Sequence, residues 1–382
     1  MNAMLDPTAL PLPLLITGTA GVPGYNAFRY FRRKYPGRVI GIRQAENEQL
    51  TGQGVVACNA EDREGLARLF DEHQFAAVLN CAGNCALKPC ELNPALAWRV
   101  NVDGVHNLLA QTVPRGVRLL HLSVDMVFSG ADGRGGYVEE DPTDPVTVYG
   151  KTMLLAEQAV LLADPQACIL RISLPMGVSL NGHAGAIDWI ASRFKKSRPA
   201  TLYFDEIRTP TYTDCMNLLF DRVLAHGLCG LFHAGGPRRL TLYQIAQIIN
   251  RVGGYDPGLL HGMMRIKAGP IPPRAGNVAM DSGKLIRALG YNPFDPWPLD
   301  DALVPTDGDW HRRRRPDERG SPGLIVLYRK MRPALCRCSP PCYSPSGRLV
   351  ADPPLCPQHH GQHSTEPVRV AGVLDAGRFQ PR

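Results

Sequence analysis

Over the first 180 residues, apolar positions follow two alternating rhythms. Short apolar or β-branched runs of strand length occur at 12–17 (LPLLIT), 38–42 (RVIGI), 54–58 (GVVAC), 76–82 (AAVLNCA), 118–124 (RLLHLSV) and 167–173 (ACILRIS). The stretches between them, 24–35, 63–74, 94–113 and 152–163, carry apolar residues at helical spacing. Strand, helix and strand in this rhythm predict βαβ units and a parallel sheet covered on both faces. Right-handed crossovers then give a doubly wound α/β fold whose strand C-termini open onto one crevice.

Past residue 180 the rhythm changes. Helical patterns at 185–196, 215–227 and 241–253 flank a short strand and turn at 230–236 (GLFHAGG). This predicts a smaller α+β part packed on the sheet, with the substrate crevice between the two. The expected division is 12–178 for the sheet domain, 179–304 for the substrate-binding region and 305–382 for a tail. That tail is rich in Arg, Pro, Cys, Ser and His and lacks apolar periodicity, which predicts an unstructured segment. Its Cys336, Cys338, Cys342, Cys356 and His359 have the atoms for zinc, but their spacing matches none of the usual two-by-two ligand patterns, so no metal site is assigned.

Composition adds little to this picture. The 382 residues are 44% hydrophobic and 20% charged, ordinary values for a globular protein. The net charge of +7 is concentrated in the tail, notably at 311–320 (HRRRRPDERG), so it argues against a nucleic-acid partner. Cysteines up to residue 230 stand singly in apolar settings, the usage of reduced thiols. The N-terminus lacks a basic segment and its apolar run ends at a glycine turn, and no later run has the length of a membrane span. A cytoplasmic location is expected.

The first chemical motif is LLITGTAGVPG (14–24), with Gly18, Gly21 and Gly24 between the first strand and the first helix. That context is the one a dinucleotide's pyrophosphate requires, and it makes the sheet Rossmann-type. Gly18 would allow the turn, Gly21 a close backbone approach and Gly24 tight packing of helix on strand. At the end of the second strand, where a carboxylate would favour NAD, stands Arg43, whose guanidinium suits the 2′-phosphate of NADP. NADP is therefore the expected cofactor and NAD the alternative.

Further motifs follow in order: Asn59 after the third strand, NCAG (80–83), Asn101 in NVDG, LSVDMVFSG (122–130), EEDPTDPVTVYGKT (139–152), LRIS (170–173), DEIRTPTYTDC (205–215) and RAGNVAMDSGKL (274–285). Together they resemble the extended short-chain dehydrogenase/reductases, and within them the dTDP-4-dehydrorhamnose reductase family, over about residues 12–300. The resemblance implies cofactor contacts from Gly18, Gly21, Val22, Pro23 and Gly24, from Arg43, and from Asn59 and Ala60. It implies others from Cys81, Ala82 and Gly83, and from Tyr149 and Ser173. It also implies a nucleotide-linked 4-keto sugar as substrate, and relatives that pair as homodimers.

In such a reductase a tyrosine hydroxyl protonates the substrate's carbonyl oxygen as hydride arrives, and a lysine one helical turn on lowers the tyrosine's pKa. Here Tyr149 is kept, the lysine position holds Met153, and the strand hydroxyl position holds Val124. Lys151 stands two residues from Tyr149, about 200° around a helix. Ser123 is the nearest strand hydroxyl and is retained with Tyr149 as a catalytic candidate, although alternation points it to the other face from Val124. Two readings stay open. One is an NADP-dependent sugar-nucleotide reductase, or a related epimerase or dehydratase, with a degraded catalytic set. The other is a weak or inactive dinucleotide-binding protein that serves as a regulatory subunit.

Overall fold

The computed structural model describes residues 9–180, 185–313 and 323–328. The first half contains β1 (Leu14–Ile16), α1 (Val22–Lys34), β2 (Val39–Arg43), β3 (Val55–Ala57), α2 (Arg63–His73), β4 (Ala77–Asn80), α3 (Leu87–Leu92), α4 (Pro94–Trp98), α5 (Gly104–Thr112), β5 (Arg118–Val124), α6 (Val148–Ala163) and β6 (Cys168–Ile172). The second half adds β7 (Pro175–Met176), α7 (Ala186–Lys195), β8 (Ala200–Tyr203), β9 (Ile207–Arg208), β10 (Thr211–Tyr212), α8 (Thr213–His226), β11 (Gly230–Ala234), β12 (Leu240–Thr241), α9 (Leu242–Val252), β13 (Leu260–Met263) and α10 (Gly283–Leu289).

Seven parallel strands form the main sheet in the order β11-β6-β5-β4-β1-β2-β3. The chain reverses its winding between β1 and β4, so the switch-point crevice opens beyond Ile16 and Asn80. The doubly wound Rossmann-type sheet expected from the apolar rhythm is present. Its edge strand β11, however, comes from beyond the expected boundary at 178. One buried cluster runs from Leu14, Ile16, Leu120 and Leu170 on the sheet through Phe220 of α8 to Ile245 and Ile249 of α9. The smaller α+β part therefore shares its core with the sheet.

The expected helix at 94–113 is interrupted. A π-helical turn, Arg99–Asp103, separates α4 from α5, and such turns occur often at functional sites. Expectation also fails at the start of the tail. Trp310 and His311 are buried, Gln247 Nε2 donates to Asp307 O at 3.0 Å, and the Arg251 guanidinium lies 4.0 Å from the Trp310 ring centroid. Leu327 is fully buried and its carbonyl accepts from Trp297 Nε1 at 3.2 Å. Single large anchors, without periodicity, hold these segments to the body. The zinc candidates of the tail lie outside the described residues. Cys58, Cys81, Cys85, Cys90, Cys168 and Cys215 are free thiols.

Candidate active site

The glycine turn takes the shape its sequence demands. Gly18 has φ +64°, and a Cβ there would fall 2.3 Å from the Cys81 carbonyl oxygen. A Cβ on Gly24 would fall 2.3 Å from Gly18 O. Gly21 is different: a Cβ there meets only Gly18 O, at 3.5 Å, so its outer side is open. Gly21 caps α1 with no side-chain hydrogen bond, Val22 and Pro23 follow, and the first turn carries no acidic residue. A helix N-terminus left open in this way, with a turn that no side chain fills, fits a pyrophosphate.

Thr17 Oγ1 joins the two strand ends that frame the crevice. It accepts from Cys81 N and Ala82 N, both at 3.1 Å, and donates to Asn80 Oδ1 at 2.5 Å. Sequence reading passed over this threonine, whose only signal was its place before Gly18. Arg43 ends β2 half-buried; its Nη1 donates to Gln44 O and Ala45 O at 2.9 Å, while its buried Nε has no hydrogen-bond partner. Asn59 Oδ1 accepts from Ala45 N at 2.8 Å, so Arg43 and Asn59 shape one loop beside the second strand. Ala60 packs against Gly104, where a Cβ would lie 2.7 Å from the Ala60 Cβ.

Tyr149 lies in the first turn of α6, which Thr147 caps by accepting from Gly150 N at 2.9 Å. A Cβ on Gly150 would fall 2.2 Å from Met126 O, so this glycine lets the helix rest on the backbone after β5. Tyr149 and Met153 consequently join Val124, Met126 and Phe128 in one buried apolar cluster. Burial pushes the Tyr149 hydroxyl well above its ordinary pKa, with the nearby Cys85 and Asp125 acting in the same direction. A Cβ on Gly83 would lie 3.6 Å from both Met153 Sδ and Asn101 Oδ1, which places the thioether at the end of β4. Asn101, in the π-helical turn, accepts from Asn84 N at 2.6 Å and donates to Thr152 Oγ1 at 2.9 Å.

Neither neighbouring group takes the place at which the resemblance implies a lysine or a strand hydroxyl. α6 begins at Val148, so Tyr149 and Lys151 are both helical and the exposed Lys151 points elsewhere. Ser123 is fully buried and donates to Glu157 Oε2 at 2.7 Å. Glu157 in turn pairs with Arg171, whose Nη1 lies 3.3 Å from His233 Nε2. The catalytic candidacy of Ser123 is thus corrected: strand alternation turns its hydroxyl under α6 and away from the Val124 side. Ser173 is likewise committed, donating to Asp125 Oδ2 at 2.6 Å and accepting from Thr209 N at 3.1 Å. Arg208 Nε stands 3.0 Å from the same Asp125 oxygen, and Arg274 pairs with Glu206 at 2.7 Å. Burial raises the Asp125 and Glu206 carboxyls, opposed by Arg208 at Asp125 and by Arg274 and Arg208 at Glu206.

A sequence model described as the RmlD substrate binding domain matches residues 13–298. The chain belongs to that family. Its family likeness was thus legible in the ordered motifs. The dTDP-4-keto-6-deoxy-D-glucose reductase of Streptomyces niveus is 28% identical over 289 residues, spanning 74% of this chain and 93% of that protein. Methionine adenosyltransferase 2 subunit beta of Bos taurus is 29% identical over 242 residues, 61% of this chain and 70% of that one. Among solved structures, a dTDP-4-dehydrorhamnose reductase from Bacillus anthracis in complex with NADP has a TM-score of 0.63 at 18% identity, covering 74% of this chain and 95% of that chain. That likeness is one of fold. Among the described residues no helix is long and apolar enough to cross a membrane, and no group of three or more His, Cys, Asp or Glu is placed to hold a metal ion.

Two buried imidazoles give the family fold a pH dependence in this chain. His121 on β5 lies 2.9 Å from Asn80 Nδ2, and burial pushes it down to about 4. His233 on β11 is also held down to about 4, by burial first and the Arg171 charge second. Unfolding returns both to near 6.5, so between those values the unfolded chain binds more protons. The stability of the neutral rings is complete above the unfolded pKa and is lost as pH falls toward the folded one, on the order of 3 kcal/mol per ring. The raised Asp125 and Glu206 carboxyls act in the opposite sense, so a variant isolates the imidazole. In urea unfolding, the stability difference between wild type and His121→Gln should move against the wild type by about 2–3 kcal/mol between pH 7.5 and pH 4.5.

Proposed function

We propose that the chain binds NADP across the β1–β4 switch point and takes a nucleotide-linked 4-keto sugar into the adjoining crevice. Its activity is that of a dTDP-4-dehydrorhamnose reductase-type enzyme, or a related epimerase or dehydratase, with an impaired proton-transfer step. The observation that carries this reading is that Tyr149 packs in one buried cluster with Val124 and Met153, the positions where the resemblance implies a hydroxyl and an ammonium, with the Met153 thioether beside Gly83 just after β4. The relatives named as sugar reductases support the substrate class.

NADPH, when bound, supplies the hydride. Gly18, Gly21 and the N-terminus of α1 would hold its pyrophosphate, and Arg43 would face the 2′-phosphate. Asn59 and Ala60 would border the adenine, and Cys81, Ala82 and Gly83 would line the path toward the nicotinamide. Tyr149 would donate the proton to the carbonyl oxygen. Without a neighbouring ammonium to stabilise its phenolate, that donor works against a raised pKa. Following NADPH absorbance with a panel of nucleotide-linked 4-keto sugars tests this directly: slow, saturable oxidation supports it, and no NADPH binding overturns it.

A second reading is favoured by the same pair of apolar replacements. With both groups lost, the protein would bind NADP without turnover and act on a partner, and one relative carries the name of an enzyme's subunit. NADPH binding with no oxidation of any sugar in the panel would select this reading.

A homodimer through α6 is part of the proposal. Its outward side exposes Leu155 and Leu161, each 39%, and Leu162, 87%, an apolar row unusual for a helix facing water. Light scattering after size exclusion should give twice the monomer mass, and Leu155→Glu/Leu162→Glu should give the monomer with the fold retained.

A further inference from the structure

Residues 323–328 lie beyond the stretch matched by the family, yet they contact the body at Trp297 and Asp188. Leu327 fills the core beside Trp297, and the Tyr328 hydroxyl donates to Asp188 Oδ1 at 2.6 Å. Asp188, in the first turn of α7, is only 9% exposed. Its other oxygen accepts from the Ser179 hydroxyl at 2.7 Å and the Ser179 amide at 3.1 Å. One carboxylate is thus shared between the C-terminal segment and the turn that follows β7.

That turn rests on α1. Asn26 Nδ2 donates to Val178 O at 2.7 Å and to Val22 O at 2.7 Å, so it ties the turn to the first residue after Gly21. The chain returns over the same residue at Gly185, where a Cβ would lie 3.1 Å from Val22 Cγ2. The contacts run without a gap from Tyr328 through Asp188, Ser179, Val178 and Asn26 to Val22.

We propose that residues 323–328 are a strap that holds the 177–179 turn against the mouth of the glycine turn, making Tyr328 and Asp188 positioning residues for the dinucleotide. The inference rests on the NADP reading given above. Its physical basis is the cost of a buried acceptor without a donor. Removing the Tyr328 hydroxyl leaves Asp188 Oδ1 unpaired at a buried position. The carboxylate then turns toward water and loosens its hold on Ser179, which weakens one of the ties that keep the turn beside Val22.

The test compares full-length wild type, Tyr328→Phe and Ile325→Ala. The first variant removes one hydroxyl and keeps the ring; the second alters an exposed strap residue, 59% accessible, as a control. NADPH affinity is read by fluorescence titration, and amide exchange of the 177–180 segment is read without ligand. Tyr328→Phe should weaken NADPH roughly fivefold, the equivalent of one net hydrogen bond, and speed exchange at the Ser179 amide, while Ile325→Ala changes neither. Unchanged affinity and unchanged exchange in Tyr328→Phe would overturn the strap. Faster exchange with unchanged affinity would overturn its link to the dinucleotide. If the wild type binds no NADPH, the functional reading fails instead, and the exchange of Ser179 still shows whether the strap holds the turn.

Discussion

Val124→Thr combined with Met153→Lys is expected to raise NADPH-dependent turnover by about 10²–10⁴-fold, the range that positioned acid–base groups supply. Val124 ends β5 and Met153 follows Tyr149 by one helical turn; all three meet in a single buried cluster. A lysine at 153 would start from the face that carries Tyr149, where the Asn101 side chain and the end of β4 lie close to the present thioether. Its ammonium would offset the effect of burial on the phenol and bring the hydroxyl back toward neutral pH. The threonine would restore the strand hydroxyl that polarises the carbonyl. Groups that act on one proton are not additive, so each single variant should gain less than its share of the double. Met153→Lys alone carries a further risk of destabilisation, since it puts an ammonium among Val124, Met126 and Phe128. Steady-state NADPH oxidation on the four proteins checks this.

Alanine at Gly21 and at Gly24 should give opposite outcomes. At Gly24 a Cβ would fall 2.3 Å from a backbone oxygen of Gly18, a contact no side-chain rotation relieves. Gly24→Ala should therefore cost about 1–3 kcal/mol or more of stability by overpacking. At Gly21 the same atom meets nothing nearer than 3.5 Å, so Gly21→Ala should fold with a melting temperature close to that of wild type. It should nonetheless lose tenfold or more in NADPH affinity, because the methyl occupies the side where the pyrophosphate would approach. Thermal melts and NADPH titrations of both variants test the pair. A Gly21→Ala protein that binds NADPH normally would move the cofactor away from this turn.

Local chemistry made much of this readable. Gly18, Gly21 and Gly24 are meaningful because strand, turn and helix are consecutive in sequence, and Tyr149, Met153 and Val124 announce themselves by spacing from neighbouring motifs. The features that escaped depend on residues far apart in the chain. Ser123 kept its candidacy by proximity to Val124 although alternation already turned it to the other face, and the bond to Glu157, 34 residues on, shows which partner takes its hydroxyl. β11 looked like part of a separate region because its pairing with β6 spans the whole of α7 and α8. The docking of Trp310, Leu327 and Tyr328 gave no periodic signal, since isolated anchors do not repeat. The π-helical turn at Asn101 was hidden inside an uninterrupted helical pattern.

The central claim is that a reductase site is present here with its proton donor weakened. Its most direct test is NADPH oxidation by wild type and Tyr149→Phe, each saturated with NADPH, on the same nucleotide-linked 4-keto sugars. The expected result is saturable NADPH binding by both, wild-type oxidation far below the ~1 s⁻¹ at the low end of ordinary enzymes, and a further loss of about tenfold or more in Tyr149→Phe, because the phenol is the proton donor the site retains. Ordinary reductase turnover in the wild type, abolished by Tyr149→Phe, would contradict it.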